Sequence, residues 1–130
     1  MKIAGKSLKE YFVVSRIFLA VIFAIMISIV VLRLSPDVPP GIQTLLSLSG
    51  GMVFVWAGWS SVRRHGFDLR QVSIVALLLS LGVHWSLPIF HGTGEVLYLI
   101  FINSFVYSIM ALFGGWIAKI SALRIPRGKK

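Results

Sequence analysis

The sequence predicts an all-α integral membrane protein, four transmembrane helices in a compact bundle with the N- and C-termini on the same inner side. Three observations predict it. Of 130 residues, 57% are hydrophobic and 13% charged, whereas a soluble domain is close to half apolar and a quarter charged. The apolar residues gather into four runs, each able to supply the ~20 helical residues that cross a hydrocarbon core of about 30 Å. The cations fall in short segments between those runs instead of being spread over a surface.

The spans are expected at about residues 12–32, 42–61, 71–87 and 95–119, forming a single domain. The first has RIFLAVIFAIMISIVVL as its body and stops before Pro36, Asp37, Pro39 and Pro40, since proline removes a donor and clashes with the preceding turn. Its body exceeds the h-region of a signal peptide and no A-x-A site follows, so it reads as a retained span. The basic connector VRRHGFDLR separates the second span from the third, whose end is assigned to Pro88. The fourth runs into the tail SALRIPRGKK.

Net charge is +9, from 13 Lys and Arg against 4 Asp and Glu. Lys2, Lys6, Lys9, Arg16, Arg63, Arg64, Arg70, Lys119, Arg124, Arg127, Lys129 and Lys130 fall on one side of the four spans, and Arg33 alone on the other. Cytoplasmic loops carry the excess of Lys and Arg, so both termini are expected in the cytoplasm of a bacterial cell bounded by this inner membrane. The basic loops are expected against anionic headgroups. A nucleic-acid role would need a folded basic domain, for which the chain has no length. There is no cysteine, which excludes disulfides, thiolate metal ligands and cysteine nucleophiles.

One polar cluster interrupts the outer side. HWSLPIFHGTGE, residues 84–95, carries His84, His91 and Glu95, which suit zinc or iron as imidazole and carboxylate ligands. No H-E-x-x-H or E-x-x-H spacing is present, and each group has an ordinary place: both histidines near a helix C-terminus, Glu95 at a helix N-terminus. The turn reading is preferred to the metal site, and no cofactor is expected.

The span interiors hold no ionisable group between Arg16 and Arg33 or elsewhere at depth, so a proton-coupled pump or antiporter is disfavoured. Small and polar residues instead mark the second and fourth spans. Ser47, Gly50, Gly51 and Gly58 on one, and Asn103, Tyr107 and Gly115 on the other, suit close packing, with hydrogen bonds from Asn103 and Tyr107 across the seam or to a ligand. Gly58-Trp59 and Gly115-Trp116 stand at corresponding positions, which the preference of tryptophan for membrane interfaces explains more simply than two hairpins related by a parallel repeat. Enzyme motifs such as G-x-S-x-G, the P-loop and G-x-G-x-x-G are absent. The leading expectation is a non-enzymatic subunit or assembly partner of a membrane complex, associating with other membrane proteins or with itself. The alternative is a small transporter or channel for an uncharged or weakly polar solute.

Overall fold

A computed structural model describes residues 1–35 and 37–124. Pro36 and the tail cations Arg127, Lys129 and Lys130 lie outside the described residues. Four helices are long and apolar enough to cross a membrane, spanning Leu8–Arg33, Pro40–His65, Leu69–Phe90 and Thr93–Leu123.

The chain opens with a hairpin that the hydropathy pattern does not reveal. Strands β1 (Lys2–Ile3) and β2 (Lys6–Ser7) pair antiparallel, Lys2 opposite Ser7 and Ile3 opposite Lys6. Ala4 and Gly5 form the turn at φ 50° and 86°, the left-handed pair that a two-residue hairpin of this twist requires. Helix α1 (Leu8–Arg33) follows directly, starting four residues before Phe12 because Ser7 and Glu10 form a capping box. The Glu10 N–H donates to Ser7 Oγ at 3.2 Å and the Ser7 N–H to Glu10 Oε2 at 2.6 Å, satisfying two otherwise orphaned donors.

Helix α1 stops before the prolines as expected, and helix α2 (Pro40–His65) starts two residues ahead of the expected Ile42, with Pro40 in its first turn where the missing N–H costs nothing. At its far end Gly66 adopts φ 65°, and the N–H groups of Gly66 and Phe67 return to the carbonyls of Val62 and Ser61, closing the helix through a left-handed cap. Helix α3 (Leu69–His84) starts on a second capping box, Asp68 with Gln71.

Pro88 needs correction. Helix α3 stops at His84, three residues short of the expected Leu87, and Pro88 lies inside a separate single turn, α4 (Leu87–Phe90). A proline ring clashes with the carbonyl four residues before it, which here is that of His84. Pro88 therefore acts four residues upstream and then serves as an early position of the next turn. Helix α5 (Thr93–Arg124) has 32 residues, about 48 Å at 1.5 Å per residue, and overreaches its expected bounds at both ends.

Helix α2 packs most extensively on α5, α3 contacts both α1 and α5, and α1 contacts α2 and α3. Helices α2 and α3 thus lie between α1 and α5. The buried core is concentrated toward the end that carries the hairpin, with Tyr11, Phe18, Phe54, Phe67, Val72, Val75 and Leu79 among its members. At that end Tyr11 Oη donates to the Ile3 carbonyl at 2.8 Å, Gln71 Nε2 to the Ala4 carbonyl at 2.8 Å, and Tyr11 meets Phe67 edge to face. Among the described residues, the opposite end, with α4 and the start of α5, has no comparable set of side-chain hydrogen bonds between distant segments.

Candidate functional site: a cavity at the α4 end

The small residues singled out in the sequence divide between two places. Gly51, Gly58 and Gly115 lie in packed seams. A Cβ built at Gly51 would stand 2.7 Å from Met110 Cε, and one at Gly115 would stand 3.2 Å from Val62 Cγ2. At Gly58 it would overlap the Ala111 carbonyl. The reciprocal contact is made by Gly114, which the sequence reading passed over: its Cβ would overlap the Val55 carbonyl. Each helix thus offers a glycine to the residue three positions before the glycine of the other, and both backbones run in the same direction through the crossing. The available signal was Ala111-x-x-Gly114-x-x-x-Ala118, small at helical spacing and buried throughout.

Gly50 and Ser47 are not in that seam. They line a cavity of about 240 Å³ between α1 and α5, with α2 behind it and α4 over its mouth. A Cβ at Gly50 would meet nothing nearer than Ile25 Cγ2 at 4.0 Å. The walls are apolar, from residues such as Ile25, Ile29, Leu46 and Leu99. Phe54 and Tyr107, stacked at 4.2 Å with 6° between ring planes, form the deep end. Beyond that stack lies the Gly58–Ala111 crossing.

Asn103 and Tyr107 both line the cavity and are half-buried. Among the described residues, neither forms a side-chain hydrogen bond across the α2–α5 seam; Tyr107 is held by stacking on Phe54. The seam is therefore closed by shape, backbone proximity and the Phe54–Tyr107 stack, without the side-chain hydrogen bonds expected from Asn103 and Tyr107 among the described residues. The hydroxyls follow a different rule. Ser28, Ser47, Ser49, Ser61 and Ser73 each donate to the carbonyl four residues earlier on their own helix, at 2.7–3.1 Å. Such back-bonding satisfies a hydroxyl within its own helix.

At the rim, Arg33 ends α1 with its guanidinium 5.2 Å above the Phe90 ring, within cation–π range. His91 Nδ1 lies 3.1 Å from Glu95 Oε1, one turn apart. His84 stands apart at the end of α3, its Nε2 buried without a partner among the described residues. The structure thus brings His91 to Glu95, while among the described residues no group of three or more His, Asp or Glu side chains is placed to hold a metal ion.

Compared with known proteins, the chain matches no family model, no curated protein and no solved structure. Function has to be argued from the geometry.

Proposed function

We propose that the protein is a non-enzymatic component of a membrane assembly: a four-helix bundle of a bacterial inner membrane, both termini cytoplasmic, that associates laterally with other membrane proteins. The reading is carried by one observation. Past the Phe54–Tyr107 stack, α2 and α5 touch backbone to backbone at Gly58–Ala111 and Gly114–Val55, so the cavity is a dead end. Ser47 and Ser86, the serines that line the cavity, are bonded back to the carbonyls of Gln43 and Val83. The cation asymmetry of twelve to one supports the orientation, and the cations of the hairpin end suit anionic headgroups.

Helix α5 is the surface offered to a partner. Only 6% of its most apolar 18-residue window is buried, against 28%, 39% and 44% for the other three spans. Tyr98, Phe101, Phe105, Phe113 and Trp116 are exposed along it. A photo-crosslinking residue at Phe105 in native membranes is expected to capture a discrete protein neighbour, and one at Phe12 on α1 is not. Capture at neither position, or equally at both, removes the assembly reading.

The cavity favours a second reading, a transporter of an uncharged or weakly polar solute using Asn103. Liposomes separate the two. Flux of glycerol or urea equal to that of protein-free vesicles supports the assembly reading, and a protein-dependent flux abolished by Asn103→Leu supports transport. Reporter fusions after residue 124 are expected to read cytoplasmic.

A further inference from the structure

We propose that the cavity is a lipid site: one acyl chain of an anionic phospholipid, from the leaflet at the α4 end, lies in it with the phosphate on Arg33. The inference needs the membrane placement but not the assembly reading. Three features fit this ligand together.

The first is charge. Arg33 is the one cation that the sequence places on this side of the spans, and among the described residues it forms no salt bridge. Glu95 is engaged by His91 at 3.1 Å, and Asp37, exposed in the α1–α2 connection, makes no ion pair among the described residues. The guanidinium carbon lies 5.2 Å from the centroid of the Phe90 ring, and with no salt bridge among the described residues its N–H groups are available for an anion contact of the bidentate kind that phosphate makes.

The second is depth. Counting back from Lys119 about 20 residues, the length that crosses a hydrocarbon core, reaches Leu99. Asn103 lies four residues further in, about 6 Å below that boundary at 1.5 Å per residue. A phospholipid carries its ester carbonyls at that boundary, and the Asn103 side chain, one turn inside among the upper methylenes, leans back toward them because helical side chains tilt toward the N-terminus. Donation to such a carbonyl satisfies an amide whose hydrogen bonds go unmet against bare hydrocarbon.

The third is shape. The cavity, at 240 Å³, is below the range of roughly 300–1,000 Å³ typical of sites for drug-sized ligands. It has room for the upper part of a single chain and leaves the headgroup outside. The chain exchanges one hydrocarbon environment for another, so no hydrophobic gain separates one lipid from another. Selectivity therefore rests on Arg33, and capacity on the empty side of Gly50.

The test uses full-length delipidated protein in mild detergent, incubated with palmitoyl-oleoyl phosphatidylglycerol, the matching phosphatidylcholine, or oleate, and read by native mass spectrometry. The wild type is expected to retain one phosphatidylglycerol per chain through a collision ramp that strips phosphatidylcholine. Cations at the hairpin end also attract anionic lipid, so the decisive readout is the change on substitution. Arg33→Gln, at an exposed rim position, is expected to lower the phosphatidylglycerol preference by on the order of tenfold, as loss of a charged hydrogen bond implies. Gly50→Leu, which fills the cavity, is expected to lower retention of both phospholipids without lowering the melting temperature. An unchanged headgroup preference in Arg33→Gln overturns the proposal, as does retention of oleate alone.

Discussion

A Cβ at Gly58 would overlap the carbonyl of Ala111, whereas one at Gly50, two turns away on the same helix, would meet nothing nearer than a methyl group at 4.0 Å. These two glycines stand for the two ends of the molecule. Toward the hairpin, backbones touch, two capping boxes and a left-handed cap close the helix ends, and the hairpin is pinned to α1 and α3. Toward α4, the helices stand apart around a cavity whose roof is one turn of helix. The lesson is that small residues in a membrane helix serve opposite ends. Some admit a neighbouring backbone, and others leave space unfilled where the helices stand apart.

Substitutions test how far that contrast holds, and the largest effect falls on the seam. Gly58→Leu has no room to relax, since its obstacle is a carbonyl; it is expected to lose about 3 kcal/mol or more, at the upper end of overpacking costs. Reversible unfolding in mixed micelles measures it. Gly50→Ala, measured the same way, is expected to stay within about 0.5 kcal/mol of wild type. Equal losses at the two positions would break the comparison.

Next in size is the clasp. Gln71→Leu removes both the hydrogen bond to the Ala4 carbonyl and one half of the Asp68–Gln71 capping box, a combined loss of about 1–2 kcal/mol. Faster amide exchange at Ile3 and Lys6 is the specific sign, because a general destabilisation would speed the centre of α3 as well. Asn103→Leu sharpens the picture of the α4 end. With no partner across the seam, Asn103 is expected to leave stability within about 0.5 kcal/mol of wild type, where an interhelical hydrogen bond would have made the variant unstable. The smallest effect belongs to His91→Gln. Its pair with Glu95 is exposed on the acid's side, 59% by side chain, and such pairs contribute about 0.5 kcal/mol or less.

Hydropathy made the four helices legible, because length and apolarity are what a bilayer demands and both are printed in the residues. Their ends were partly legible: Ser7-x-x-Glu10 and Asp68-x-x-Gln71 are capping-box spacings, but they sit outside the apolar runs that set the expected starts. Pro88 was noticed and misassigned, since its clash falls on His84 and not on its own position. The hairpin was illegible because two-residue strands carry no period and Ala4 is an unusual occupant of a left-handed turn. The site was legible only in pieces. Ser47, Gly50, Asn103 and Tyr107 could be named as a polar and small set, yet composition does not tell a glycine that closes a seam from one that opens a cavity. That distinction depends on where two helices diverge, which is decided by residues fifty or more positions apart, as Gly58 and Ala111 are.

The bond between Gln71 and the Ala4 carbonyl joins residues 67 positions apart, and it carries a consequence for biogenesis. Gln71 belongs to the third apolar helix, so the side chain that ties the hairpin to α3 leaves the ribosome only after both earlier apolar helices. The fastening has to wait until the third span arrives, and it then ties the first-made segment to a later one. Until then the hairpin is held to α1 alone, through Tyr11 and the Ile3 carbonyl, and the Gln71 bond adds the second tie.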